Sequence, residues 1–177
     1  KILRFTPAIG VTQKKDKTWT VHTEKGDIDC KYVVNAAGYY AQQVGDWFKP
    51  YGGRTVPMMV MSHQYLLSEE IPEIEQYTKT SGKKLPLLRD VDVSYYLRQE
   101  KNGFNLGPYE PNCKAHWATE DDPMPDDFSF QLWNDDLDRI EDIVSDAMER
   151  VPLLGTSGVS RVINGPIPYA PDGLPLI

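Results

Sequence analysis

Cysteine is almost missing from these 177 residues, with only Cys30 and Cys113 present, so a bridge framework of the kind that staples small secreted domains is excluded. Long apolar runs are missing too. The most apolar stretch, Val56 to Met61, is broken by Pro57 and falls far short of the roughly 20 residues a membrane-spanning helix needs, so a soluble chain is expected. Basic residues are outnumbered, 19 against 26 acidic, for a net charge of −7. That balance and the lack of Lys/Arg clusters exclude a nucleic-acid surface, which needs cations to neutralise phosphates. Cys113 stands three residues before His116, but no second ligand pair accompanies them, and zinc takes three or four protein ligands. No metal site is therefore expected. The opening Lys-Ile-Leu-Arg-Phe-Thr has no apolar core or cleavage site of a leader and reads like the middle of a strand-rich region, so the natural start is expected upstream.

The chain does hold enough apolar material, 40% of its residues, for one sizeable core. Residues 18–23, Thr-Trp-Thr-Val-His-Thr, alternate with the period of a strand, and the turn residues Glu24-Lys25-Gly26-Asp27 lead into a second strand over 28–35. A short helix is predicted over 39–48, where Tyr40, Val44 and Trp47 share a helical spacing. Residues 54–67, 94–97 and 103–107 read as antiparallel strands, the last two joined through Lys101-Asn102-Gly103. The acidic, proline-broken segment 120–127 reads as a solvated loop. From Asn134 the period changes to 3.6, with Leu137, Ile140, Val144, Ala147, Met148 and Val151 on one side. A helix over 134–151 is predicted, capped by Asn134 or Asp135, stopped by Pro152 and covering the sheet.

Some of these segments carry a resemblance. Lys31-Tyr32-Val33-Val34-Asn35-Ala36-Ala37-Gly38-Tyr39 resembles the strand-to-glycine segment of the D-amino-acid-oxidase-like flavoproteins. Three further stretches, Ser62-His63-Gln64-Tyr65, LPLLRDVDVSYYLRQEKNGFNLGPYE over 85–110 and VINGPIPYAPDGLPLI over 162–177, are similar to the dimethylglycine dehydrogenase, sarcosine dehydrogenase and dimethylglycine oxidase branch of that family. The resemblance implies an α+β fold: a mainly antiparallel substrate-binding sheet with a long covering helix, plus part of a Rossmann-type FAD domain. The implied divisions are 1–50 for the end of the FAD domain, 51–160 for the substrate domain and 161–177 for a segment returning toward the flavin. The family's Gly-x-Gly-x-x-Gly for the FAD pyrophosphate is not among these residues, and an interior fragment is expected.

Function and site residues follow as implications of the resemblance. The expected activity is oxidative demethylation of dimethylglycine or sarcosine by hydride transfer to FAD, with oxygen or an electron-transfer flavoprotein as acceptor and tetrahydrofolate on a domain outside this chain. The location would be the cytoplasm of a bacterium or the mitochondrial matrix of a eukaryote. The alternative is a non-catalytic relative acting as a phosphatase regulatory subunit. Ala8, Ala36, Ala37, Gly38, Gly165 and Pro166 are the expected cofactor contacts. His63 and Tyr96, with Tyr95 as alternate, are the expected catalytic residues, histidine suiting proton removal from an ammonium near neutral pH. Both tyrosines and His63 also suit plain sheet packing with satisfied polar ends. Related oxidases place an arginine before the proline of the tail motif to hold the substrate carboxylate, where this chain has Gly165; Arg98 and Arg54 are the substitutes.

Overall fold

The structure, a computed structural model, describes residues 1–176 and resolves two compact units. One comprises 1–59 with the tail from 168, the other 60–167, against expected divisions after 50 and 160.

In the first unit, β1 (Ala8–Gln13), β2 (Trp19–Thr23) and β3 (Ile28–Cys30) form an antiparallel sheet in that order. The expected hairpin is present, but its second strand stops at Cys30 rather than running to Asn35. Tyr32 and Val34 are each 85% exposed, with no strand beside them among the described residues to complete a ladder. The three paired strands are all antiparallel, so the parallel sheet of a Rossmann domain is not formed in this unit among the described residues. A 3-10 turn over Gly38–Tyr40 leads into α1 (Ala41–Asp46), within the predicted helix. Trp19 meets the rings of Phe48 and Tyr51 edge-on, at 5.0 and 5.4 Å.

In the second unit, β4 (Met59–Ser68), β5 (Leu88–Asp90), β6 (Tyr95–Glu100), β7 (Gly103–Pro108) and β8 (Ala115–His116) lie in the order β5-β6-β7-β4-β8. A further strand, β9 (Val159–Tyr169), also pairs with β4. The β6–β7 hairpin closes through Lys101 and Asn102, with Lys101 taking the left-handed φ of 55° that a tight turn requires.

One face of this sheet carries the core. Tyr95 and Leu97 of β6, Phe104 and Leu106 of β7, and Ile71, Ile74, Ala147 and Leu154 are buried together. Ile74 lies on α2 (Pro72–Ser81), an element that the apolar period misses because only two of its neighbourhood's side chains, Ile71 and Ile74, are buried. Its signals are local instead: Pro72 and two glutamates in the first turn, and Gly82 at φ 65° just past its end. Gln99 ties β6 to this helix, its amide reaching Thr78 Oγ1 at 3.0 Å and the Lys101 carbonyl at 2.8 Å while its oxygen accepts from Leu85 N. The predicted helix over 134–151 is shorter, α3 being Glu141–Arg150. Leu137–Arg139 forms a separate 3-10 turn, and Ile140 at φ −117°, ψ 2° breaks the helical path. Neither Asn134 nor Asp135 is an N-cap among the described residues; Asp136 stands at the N-cap of the 3-10 turn, its backbone engaged by β4.

Candidate active site

The opposite face of the sheet is turned away from the core cluster of Tyr95, Leu97, Phe104 and Leu106, and alternation decides what it displays. Along β4, Ser62, Gln64 and Leu66 are buried while Met61, His63, Tyr65 and Leu67 are half-exposed. Along β6, Tyr95 is fully buried with the core cluster and Tyr96 is half-buried on the other side. The two tyrosines therefore belong to opposite faces, and Tyr95 shares no face with His63.

Tyr96 pairs across the hairpin with Gly107 and across the other edge with Arg89 of β5. A Cβ at position 107 would fall on Cε1, Cζ and Oη of Tyr96. Glycine is therefore what lets the phenol ring lie across β7. Tyr109, just past β7, neighbours both expected catalytic rings: its centroid is 6.1 Å from His63 and 6.0 Å from Tyr96. The Arg89 guanidinium sits over the same Tyr109 ring at 5.1 Å. No hydrogen bond joins His63 to Tyr96 among the described residues, so Tyr109 is the group that links them.

Burial holds the His63 imidazole below its ordinary pKa of 6.5, and the positive charge of Arg139 adds to the effect. At neutral pH it is uncharged and able to accept a proton. Burial pushes the Tyr96 hydroxyl up, so it stays protonated and acts as a donor rather than a base. Behind His63, the buried side of β4 is fixed by polar contacts. Gln64 exchanges two hydrogen bonds with the Asp136 backbone, at 2.6 and 3.0 Å, and Arg139 Nη1 donates to Ser62 Oγ at 2.7 Å. Arg139 also faces Glu110 at 3.2 Å, their side chains 7% and 1% exposed. Burial raises the Glu110 carboxyl and Arg139 opposes that rise.

The two expected carboxylate clamps are placed otherwise. Arg98 shares the open face but is engaged by Glu100 at 3.0 Å, and Arg54 is exposed in the other unit. Gly165 and Pro166 lie within β9, where a Cβ on Gly165 would press on Leu132. Ala8 begins β1, paired with Thr23. Ala36 and Ala37 lead to Gly38 at φ 59°, a turn braced by Asn35, whose amide donates to the Ala41 carbonyl and whose oxygen accepts from Ala37 N. Gly107, Tyr109 and Arg89 were not read from sequence. The strand register singles out two of them, since Arg89 and Gly107 flank Tyr96 directly.

A family model described as FAD dependent oxidoreductase matches residues 1–177. The chain belongs to that FAD-dependent oxidoreductase family. Mouse mitochondrial dimethylglycine dehydrogenase is 39% identical over 175 residues, 97% of this chain and 19% of that protein. Mouse mitochondrial sarcosine dehydrogenase is 34% identical over 157 residues, 89% of this chain and 15% of that protein. The mouse pyruvate dehydrogenase phosphatase regulatory subunit is 27% identical over 167 residues, 94% and 18% of the two lengths. The chain thus spans at most 19% of the length of these relatives. Among solved structures, L-proline dehydrogenase from P. horikoshii superposes with a TM-score of 0.70 at 20% identity, covering all of this chain and 41% of the other, a likeness of fold.

The family implies FAD, and the first unit offers one place that fits part of it. A cleft of about 490 Å³ is lined by Asn35, Gly38, Ala41, Gly173 and Leu174 among others. A side chain at Gly38 or Gly173 would meet nothing within 4 Å, so backbone there is open to close approach by a ligand.

Proposed function

We propose that the protein to which this chain belongs oxidises an N-methylated glycine, dimethylglycine or sarcosine, with the open face of the second unit's sheet forming the substrate side. The observation that carries the reading is the placing of His63 and Tyr96 on one face, each beside the Tyr109 ring, with burial favouring the neutral imidazole and the protonated phenol. An amine surrenders hydride only with its lone pair free, and the substrate near neutral pH is mainly ammonium. Neutral His63 takes the ammonium proton, and Tyr96 donates a hydrogen bond that orients the freed amine. FAD, when bound, supplies the two-electron acceptor for the methyl hydride; the substrate leaves as an iminium for hydrolysis or capture by tetrahydrofolate.

Ala36, Ala37 and Gly38 are proposed to approach the cofactor in the first unit, with Ala8 on its adenine side, and Gly165 and Pro166 to reach it from β9. The electron acceptor is oxygen or an electron-transfer flavoprotein. By analogy with the mitochondrial relatives, the mitochondrial matrix is the location in a eukaryote, and the cytoplasm in a bacterium. A second reading, regulation without catalysis, is favoured by the likeness to the phosphatase regulatory subunit.

Anaerobic titration of the full-length flavoprotein separates the two readings. Bleaching of the flavin band by dimethylglycine or sarcosine, with glycine betaine inert because its nitrogen has no lone pair to free, supports the enzyme. Bleaching by no amine supports regulation.

A further inference from the structure

We propose that Arg89, not Arg98 or Arg54, binds the carboxylate of the amino-acid substrate; the assignment rests on the proposed reading of the open face as the substrate side. Three observations point to it.

Its place in the sheet comes first. Arg89 is the direct cross-strand partner of Tyr96, so it emerges on the open face with His63 and Tyr96 rather than on the core face with Tyr95. Its orientation comes second. The guanidinium lies 5.1 Å from the centre of the Tyr109 ring, the ring that also neighbours His63 and Tyr96 at 6.1 and 6.0 Å. A guanidinium held over a ring by cation–π attraction uses none of its N–H donors for that contact, and its fork matches a carboxylate with two parallel hydrogen bonds.

Charge comes third. Arg98 is already neutralised by Glu100, and Arg139 faces buried Glu110. Arg89 has no salt bridge to any carboxylate among the described residues, since the adjacent Asp90 turns to the core side and faces Arg150. Of Arg89 and Arg98 it is the one without a carboxylate partner among the described residues. A zwitterionic N-methylated glycine fits this arrangement at both ends: its carboxylate reaches Arg89, and its amine lies toward the His63–Tyr96 end of the same aromatic group. An amine without a carboxylate satisfies only one end.

The test uses the full-length flavoprotein with Arg89→Ala, Arg89→Lys and, for comparison, Arg98→Ala. Acetate is titrated against the oxidised flavin spectrum, which reads carboxylate binding without turnover, and reduction is followed with dimethylglycine and with trimethylamine, the same amine lacking the carboxylate. Arg89→Ala is expected to weaken acetate binding and raise half-saturation for dimethylglycine about 100-fold, the order for a lost charge-assisted pair. The limiting rate should stay within a few-fold, and the preference over trimethylamine should collapse. Arg89→Lys should recover part of the binding. Arg98→Ala should change each value less than about threefold.

Equal acetate binding in wild type and Arg89→Ala overturns the assignment, as does the loss appearing in Arg98→Ala instead. If no N-methylated glycine reduces the wild-type flavin, the proposed activity fails, yet the acetate titration still decides whether Arg89 holds a carboxylate. Flavin content and melting temperature, unchanged in Arg89→Lys, separate lost binding from lost folding.

Discussion

Gly107→Ala is the change that most sharply links the backbone of this sheet to its chemistry. The added methyl would coincide with the Tyr96 ring atoms Cε1, Cζ and Oη, where carbon atoms in contact normally stand about 3.5–4.0 Å apart. The ring must withdraw by more than ~1 Å. Overpacking of this kind costs about 1–3 kcal/mol in a closed core, but Tyr96 is half-exposed and has room to swing outward, so the stability cost falls near the low end. The functional cost is larger, because misplacing a catalytic group by about 1 Å slows a reaction on the order of 10²-fold, or about 2.7 kcal/mol of barrier. Stopped-flow flavin reduction in the full-length protein measures it. Tyr96→Ala removes the ring with which the methyl collides, so Gly107→Ala should add nothing further to the slow rate of that variant. A Gly107→Ala rate within about threefold of wild type would refute the reasoning. So would a double variant slower than Tyr96→Ala by the full single-site factor.

Other predictions concern pH and folding. His63 titrates below its ordinary 6.5, so the limiting rate should stay flat down past pH 6.5, whereas in His63→Ala it should climb with pH as the free-amine fraction of the substrate grows. The same depressed value means that the unfolded state binds more protons in acid, so His63 destabilises the fold only as pH drops through about 6.5; thermal melts of wild type and His63→Ala should converge in relative terms at low pH. Arg139→Ala leaves Glu110 as an unpaired buried carboxylate and should cost about 3–5 kcal/mol at neutral pH. Because burial raises the Glu110 value and the loss of Arg139 removes what opposes that rise, the folded state takes up the proton before the unfolded state does, so the cost should shrink as pH falls into the acid range. Ala147→Asp buries a charge at a fully buried position in the core and should cost several kcal/mol, comparable with a domain's whole margin, while exposed Ser145→Asp on the same helix should change melting little.

Local signals made much of the sheet legible. Alternation marked β2, a run rich in Val, Met, Tyr and Leu marked the region of β4, and the Lys101-Asn102-Gly103 turn marked the β6–β7 hairpin, because strand and turn signals are set locally. Elements depending on partners distant in sequence were less legible. The strand over 28–35 needs a neighbour to run past Cys30, and Ile140, apolar and correctly phased, nonetheless leaves the helical path where the Asp136 backbone is drawn to Gln64 of β4. The arginines show the same limit. Arg98 and Arg89 look alike in sequence, and only the pairing of Arg98 with Glu100, set against the position of Arg89 over the Tyr109 ring, distinguishes them. The family resemblance, by contrast, was readable from the segments 31–39, 62–65, 85–110 and 162–177, and the match over residues 1–177 agrees with it.

The central claim, that the face of the sheet bearing His63 and Tyr96 activates an amine for oxidation, is tested most directly by anaerobic single-turnover reduction of the full-length flavoprotein with saturating dimethylglycine, comparing wild type with His63→Ala near neutral pH. The account predicts rapid bleaching in wild type and a rate lower by about 10²–10⁴-fold in His63→Ala, the range contributed by a positioned general base. Equal rates, or no bleaching in either protein with any N-methylated glycine, would contradict it.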